Sequence, residues 1–433
     1  MNRLYLPALR LKMYFYTISG KRLVMIMIRF ELKKIFSNPV NKIVSVILGV
    51  VLCVVSYLAI TDVDYVDENG DKITGAAAAQ ALREEKKQWA GYLTEDVLVR
   101  VLEENSLINN SDEYLSDDVR ENEKAYSKKQ GFYDIRAMIN RAFCDFQEYD
   151  YYRADSITKE EVRSFYDRRT ANLIEWLNSD DQKNHFSEQE KQFLITQYEE
   201  LETPYYYEYA DGWEALLKYM PSIVMLVVLI TGFLVSGIFS DEIQLKADSI
   251  FFSAKLGRNK AIAAKIKAGF IVVTSIYWIT VLLFSGIVLA ILGVDGAGCA
   301  IQNGFANWKS FYNLTYSQDY LLSIGGGYLG SLFILFLSMF VSAKTWTKAF
   351  AVTIPFILLF IPSFLSGISV LSDVLGLLPD QLLQISAAIR TFNLYQIGEK
   401  VIGAVPIILT MYSILFFVLL PVLYQVYRKT EIK

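Results

Sequence analysis

Few side chains in this sequence have a type and spacing that could support catalysis, metal binding or nucleotide binding. The chain has one histidine, His185, so a metal site that needs two histidines is excluded within one chain. Its three cysteines, Cys53, Cys144 and Cys299, are too few for a disulfide framework. No G-x-x-x-x-G-K-[ST] sequence occurs, and the glycine-rich stretch 325–330 lacks the phosphate-binding lysine. We therefore expect no catalytic, cofactor or metal site on this chain, which predicts a protein that is not itself an enzyme.

One cluster of oxygen-bearing side chains could bind calcium. Asp64, Asp67, Asn69 and Asp71 surround Gly70, but their spacing does not fit the EF-hand pattern and no glutamate follows at the required distance. Asn-Gly between β-forming residues is typical of a hairpin turn. We favour a short β-hairpin here over a calcium loop.

Six apolar stretches of about 18–27 residues must position any functional side chain, and each could cross a bilayer core of about 30 Å. None has a charged residue in its middle, which argues against proton- or ion-driven transport and against an intramembrane enzyme. The sequence predicts an all-α polytopic membrane protein with six transmembrane helices and a mostly helical extracellular domain with one short β-hairpin. The predicted spans are 43–61, 219–240, 268–292, 320–342, 349–368 and 401–427.

The basic residues predict the orientation of these spans. Lysines and arginines are concentrated in the segments 1–42, 241–267, 343–348 and 428–433, which all lie on one side if the chain crosses six times. The positive-inside rule makes that side cytoplasmic, with both termini inside and a plasma-membrane location. Segment 1–42 mixes apolar and basic residues, as expected for an interfacial helix before the first span.

The region 62–215, predicted to be extracellular, is acidic. It contains 36 Asp and Glu against 18 Lys and Arg, a net charge of −18, whereas the whole chain carries −4. Thr158 with Glu161, and Ser187 with Glu190, have the spacing of helix-capping boxes, so this region is predicted to be mostly helical. The other outer segments are the loop 293–319 and the glycine- and leucine-rich segment 369–400.

The segment 241–267 is the polar stretch with the most distinctive pattern. An acidic start that includes Glu242 leads to an apolar cluster and then to a lysine-rich helix. One reading is a basic loop that merely obeys the positive-inside rule. The other is a coupling segment that docks onto another protein, because an apolar cluster at this face is not expected to stay bare. The residues predicted for partner coupling are Glu242, Ile250, Phe251, Phe252, Gly257, Arg258 and Lys265.

Taken together, these features resemble the permease subunits of ABC-2 type exporters. The resemblance rests on the amphipathic stretch Phe30–Pro39, the large outer region between spans one and two, the pattern from Asp241 to Lys265, and the segment Ser369–Lys400. It covers most of the membrane part of the chain. It implies an interfacial helix first, a coupling helix after span two and re-entrant helices before span six. The long outer region resembles that of peptide- or antibiotic-related permeases of Gram-positive bacteria.

The resemblance implies that ATP and Mg²⁺ bind a separate ABC ATPase subunit, with a second permease copy or a sister permease completing the complex in the lipid bilayer; no nucleic acid is expected. The expected function is outward movement of an amphipathic or peptide-like substrate. The acidic outer region would attract a cationic one, such as an antimicrobial peptide, although acidity could simply keep an exposed domain soluble. The alternative is a membrane sensor or scaffold that binds a ligand outside and does not transport.

Overall fold

The computed structural model describes residues 22–244, 246, 257–345, 347–365, 368 and 371–429. Within these ranges six helices are long and apolar enough to cross a membrane, which agrees with the predicted helical multi-pass membrane protein. A further helix covers residues 22–37, where an interfacial helix was predicted. The six long helices are M1 (Pro39–Thr61), M2 (Asp211–Val235), M3 (Ile262–Leu292), M4 (Tyr316–Thr345), M5 (Lys348–Leu365) and M6 (Ala404–Arg428).

Several of these helices extend beyond the apolar stretches of the sequence. M2 begins at Asp211 and M3 at Ile262, whereas the predicted spans begin at 219 and 268. The extra turns carry polar residues, which hydropathy does not count as part of a span, but they continue the hydrogen-bonded helix without a break. M6 is shorter than expected at its start, because residues 401–403 form a strand.

M4 lies at the centre of the bundle and packs against M2, M3, M5 and M6. It is the most buried of the six helices, whereas M1 and M6 turn apolar side chains outward, such as Val50 and Phe417. Apolar faces that point away from the bundle suit contact with lipid chains. We call the end of the bundle where M2, M4 and M6 end and M1, M3 and M5 begin the basic end, and the opposite end the outer end.

Three short helices follow M5, and the second and third of them pack against a glycine-rich face of M4. Adding a Cβ atom at Gly326 would bring it within 2.0 Å of the Ile385 side chain, and one at Gly330 would lie 2.6 Å from Leu383. These glycines are ten and fourteen residues into M4, or about 15 and 21 Å along its axis from the outer end. The segment therefore reaches deep along M4, as the expected re-entrant helices would. Its helices are Ser372–Leu375, Asp380–Leu383 and Ile385–Ala388.

The region between M1 and M2 is helical with two small β-ladders. Its helices are Ala76–Lys87, Glu95–Asn109, Val119–Ser127, Tyr133–Phe143, Lys159–Val162, Phe165–Leu177 and Glu188–Glu199, with a 3₁₀ turn at Arg153–Ser156. Both predicted capping boxes are present, with side chain and backbone bonded in each direction. A buried apolar core of its own, which includes Leu98, Ile139 and Phe165, supports this region as a folded unit.

The predicted hairpin is present as β1 (Asp64–Val66) paired antiparallel with β2 (Lys72–Thr74). The Asp67 carboxylate accepts from the backbone N–H groups of Asn69 and Asp71 at 2.8 and 2.9 Å, which fixes the turn. The region has one ladder more than the single hairpin expected, because β3 (Gly91–Tyr92) pairs with β4 (Tyr206–Tyr207). More than a hundred residues separate these strands, so no local turn pattern in the sequence predicts their pairing.

A third ladder lies before M6, where β5 (Leu394–Ile397) pairs with β6 (Lys400–Gly403). The connection between M3 and M4 joins the outer region to the short helices. The buried Arg169 guanidinium donates to the Trp308 and Ser310 carbonyls at 2.9 and 3.3 Å. The Ser310 hydroxyl in turn donates to the Ile389 carbonyl at 2.8 Å. The outer region is thus held to the bundle by several segments rather than by two linkers alone.

Candidate functional site

The turn that follows M2 is bonded to three other membrane helices at the basic end. A helix end leaves backbone carbonyls without intrahelical donors. Here the Ser236 carbonyl accepts from Ser342 of M4 at 2.8 Å. The Ile238 carbonyl accepts from Lys265 of M3 at 2.8 Å, and the Phe239 carbonyl accepts from Tyr427 of M6 at 3.2 Å. We call residues 236–240 the clamped turn.

Lys265 is the centre of this arrangement. Its side chain has no exposed surface, and its ammonium nitrogen lies 2.6 Å from Glu242 Oε1 and 3.0 Å from Glu31 Oε1. Two carboxylates and the Ile238 carbonyl supply acceptors for the three ammonium donors. A buried ammonium without such partners would cost several kcal/mol, so the partners are required for Lys265 to lie here.

Two further lysines extend the ion pairs to the neighbouring elements. Lys34, on the helix of residues 22–37, lies 3.2 Å from Asp241 Oδ2 and 3.1 Å from Glu242 Oε1. Lys348, the first residue of M5, lies 2.7 Å from Asp241 Oδ1. Burial lowers the pKa of Lys34, but the nearby Glu242, Asp241 and Glu31 together raise it by more, so its pKa stands above the ordinary value. The charge network is the set Glu31, Lys34, Asp241, Glu242, Lys265 and Lys348.

Local structure brings Glu31 and Lys348, the first and last residues of the charge network, within reach of the others. Asn38 caps M1 by accepting from the Val40 N–H at 2.9 Å, with Pro39 at the first helical position, so the helix of residues 22–37 ends there. Asn41 then donates back to the Ile35 carbonyl at 2.8 Å, which fixes the join. At Gly237 a Cβ atom would lie 2.6 Å from the side chains of both Asp241 and Lys348, so any larger residue would displace the ends of this ion pair.

The structure brings together two of the residues predicted for partner coupling, Glu242 and Lys265. Gly257 and Arg258 begin a π-helical turn, Gly257–Ala261, that leads into M3. Ile250, Phe251 and Phe252 lie outside the described residues. Their docking role stays a prediction.

Sequence reasoning did not assign Glu31, Lys34, Asp241 and Lys348 to one cluster. One signal could have drawn attention to Glu31, because it is an acidic residue inside an otherwise basic flank before the first span. Acidic residues contribute little to orientation in the membrane, so an acid at such a position suggests a specific partner. Its partner could not be chosen from sequence, since Lys265 follows more than two hundred residues later.

The six groups of the charge network are paired with one another as ions. No group of three or more His, Cys, Asp or Glu side chains able to hold a metal occurs in the described part of the chain. Each carboxylate on Lys265 uses Oε1, while Oε2 of Glu31 and of Glu242 is buried without a hydrogen-bond partner among the described residues. The site joins the helix 22–37, M2, M3 and M5 through charge, and M4 and M6 through the clamped turn.

Comparison of the chain with known protein families, with curated proteins and with solved structures finds no match.

Proposed function

We propose that the chain is the membrane subunit of an ATP-driven exporter of the ABC-2 type, and that its ATPase is a separate polypeptide. The observation that carries the proposal is the clamped turn together with the charge network. Segment 241–261 leaves M2 through a turn bonded to M3, M4 and M6, and returns directly into M3. A push that reaches the clamped turn would act on M3, M4 and M6 through these hydrogen bonds, and on M2 through the chain itself.

The roles of individual residues follow from this arrangement. Ile250, Phe251 and Phe252 would dock the ATPase, while Gly257 and Arg258 would shape the return to M3. Glu242 and Lys265 would hold the segment against M3 and the helix of residues 22–37. ATP and Mg²⁺ would bind on the partner, and a second copy of this chain or a sister permease would complete the pathway in a cell membrane with both termini cytoplasmic.

The substrate we propose is amphipathic or peptide-like and moves outward. The net charge of −18 between residues 62 and 215 favours a cationic substrate through long-range attraction. M2 continues into the outer region as one helix, and Lys86 of that region pairs with Asp211, the first residue of M2, at 2.6 Å. Contacts of this kind would couple substrate binding outside to movement of M2.

The same rigid connection supports a second candidate, a membrane sensor whose outer region binds a ligand without transport. Arg83 donates to the Leu292 carbonyl at 3.0 Å, so the outer region is bonded to the end of M3 as well. Trp213 of M2 donates to the Val294 carbonyl just beyond that end at 3.1 Å. A shift of the outer region on ligand binding would be transmitted to the basic end through M2 and M3. Transport activity separates this candidate from the exporter.

The first experiment is purification of the tagged full-length chain from its native membrane in mild detergent, with mass spectrometry of co-purifying proteins. The exporter predicts a stoichiometric partner that carries a Walker A sequence, and ATP hydrolysis by the reconstituted complex that rises with substrate. Phe251→Asp should dissociate the partner or uncouple hydrolysis from transport. The matched control, Leu115→Asp, changes an exposed apolar residue of the outer region and should do neither.

A chain that purifies without an ATPase, or a Phe251→Asp complex with unchanged assembly and flux, would overturn the coupling assignment. Binding of a ligand to the outer region without ATP-dependent flux would favour the sensor.

A further inference from the structure

A large groove opens between M3, M4 and M6 at the basic end, outside the charge network. Its volume is about 1460 Å³, and its walls are mainly apolar, with Phe270, Phe336, Phe416 and Leu420 among them. Small-molecule pockets usually measure roughly 300–1,000 Å³, so the groove exceeds that class. The M6 surface beside it stays apolar and exposed, as Phe417 and Val418 show.

The groove has a basic rim. Lys267 at the start of M3 and Arg428 and Lys429 at the end of M6 line it, and all three are exposed. Among the residues that the structure describes, none of the three forms an ion pair, and no acidic residue lines the groove. Tyr424 donates to Asn259 and so joins M6 to M3 at the rim. The lysines of the charge network, in contrast, are matched by carboxylates.

We propose that this groove binds an anionic phospholipid of the bilayer, with its acyl chains along the aromatic wall and its headgroup phosphate at Lys267, Arg428 and Lys429. Acyl chains lying along the apolar wall would make van der Waals contacts with its aromatic and aliphatic side chains. The three unpaired cations then select the headgroup, since basic pockets between membrane helices on the cytoplasmic side attract anionic lipid. The site rests on the orientation proposed above and is independent of the ATPase.

The lipid would contact elements that the coupling segment also uses. Ile266 lines the groove and follows Lys265 directly in M3, and Gln425 lines it two residues before Tyr427, which bonds the clamped turn. A headgroup at Lys267 would therefore hold the start of M3 against the end of M6. Anionic lipid is expected to stabilise the arrangement of the basic end.

The test uses the full-length chain in detergent with added phosphatidylglycerol or phosphatidylcholine, and native mass spectrometry to count bound lipid. Each cation near a membrane surface contributes roughly a factor of five in affinity for anionic lipid, so three give a preference of about a hundredfold for phosphatidylglycerol. The combined variant Lys267→Gln, Arg428→Gln, Lys429→Gln should abolish it. The matched control, Lys33→Gln, Lys42→Gln, Lys344→Gln, removes the same charge from exposed positions at the same end and should keep it.

Equal binding of both lipids by the unchanged chain, or equal loss in both triple variants, would overturn the proposal. The variant Ala263→Trp is an independent test of the same site. Ala263 lines the groove, so a larger side chain at this position should exclude the lipid whatever its headgroup. Unchanged lipid stoichiometry in folded Ala263→Trp protein would place the lipid elsewhere. Disulfide cross-linking between two chains through Leu420→Cys, without bound lipid, would show that a second copy covers the groove.

Discussion

The Lys265 ammonium lies 2.6 Å from Glu242 Oε1, and the Lys265 side chain has no surface exposed to solvent. Lys265 belongs to the start of M3, while Glu242 lies just beyond M2, so this ion pair closes the two ends of the segment that links these helices. Glu31 completes the site from an element before M1. Through these three residues the two ends of the linking segment are held to each other and to the helix of residues 22–37.

Removing the buried cation should strongly destabilise the chain. Lys265→Met leaves Glu31 and Glu242 without their shared partner, and breaking a buried ion pair from one side costs about 3 kcal/mol or more. The measurement is reversible unfolding in detergent. Lys344→Met, which removes an exposed lysine of M4 at the same end of the bundle, should change stability by about 0.5 kcal/mol or less.

A double-mutant cycle separates the ion pair from general disturbance of M3. Glu242→Gln combined with Lys265→Met should cost less than the sum of the two single changes, because the second change removes a group that the first has already left unpaired. Strict additivity of the two free-energy changes would show that the pair contributes nothing to stability.

Gly326 should tolerate no side chain, whereas its neighbour Gly325 should. In Gly326→Ala the new methyl group meets Ile385 and the Leu382 carbonyl, so we expect a loss of about 1–3 kcal/mol and displacement of the short helices. A Cβ atom at Gly325 has nothing within 4 Å, and Gly325→Ala should be neutral or stabilise the helix by up to about 1 kcal/mol. Thermal unfolding of both variants checks this contrast, and equal stability would refute the packing.

Arg169 should hold the M3–M4 connection against the outer region. Arg169→Met removes the donors to the Trp308 and Ser310 carbonyls and should cost about 2 kcal/mol. Hydrogen exchange at residues 308–310 should become faster. Arg168→Met breaks only the surface pair with Glu175 and serves as the control, expected to leave exchange at residues 308–310 as it was.

Lys129 should make stability depend on pH in the alkaline range. Burial, and secondly the nearby Arg136, lower the pKa of Lys129 from 10.5 to about 8. Below pH 8 it is charged in both states, and the cost of burying the ammonium then opposes folding. Between about pH 8 and 10.5 only the unfolded chain keeps the proton, so stability should rise with pH there. Thermal unfolding across this range should show the rise, and Lys129→Met should lose it; a slope that survives in Lys129→Met would exclude this residue as its origin.

The parts of the fold that depend on local pattern could be predicted from the sequence. The six long helices follow from apolar stretches, and the two capping boxes and the Asn69-Gly70 turn follow from residue types at fixed spacing. The start of M2 at Asp211 could not be read in the same way. Its first turns carry charged residues, of which Asp211 is satisfied by Lys86 from another helix.

The candidate site was accessible to sequence reasoning only in part. The pattern of segment 241–267 singled out Glu242 and Lys265, yet nothing local shows that they meet Glu31. Long-range ion pairs depend on how helices are arranged, and a charged residue near a span end has the same local signature whether it faces water or a carboxylate. The pairing of Gly91–Tyr92 with Tyr206–Tyr207 was missed for the same reason.

The burial of Lys265 also constrains how the protein is made. During synthesis Glu31 and Lys34 leave the ribosome first, Asp241 and Glu242 much later, and Lys265 after both of its acidic partners. When M3 enters the membrane, the carboxylates that neutralise its lysine are therefore already present, and Lys348 closes the network only when M5 follows. A ribosome-bound chain that ends shortly after M3 should already contain the Lys265 ion pairs, so the order of insertion and the order of charge neutralisation coincide.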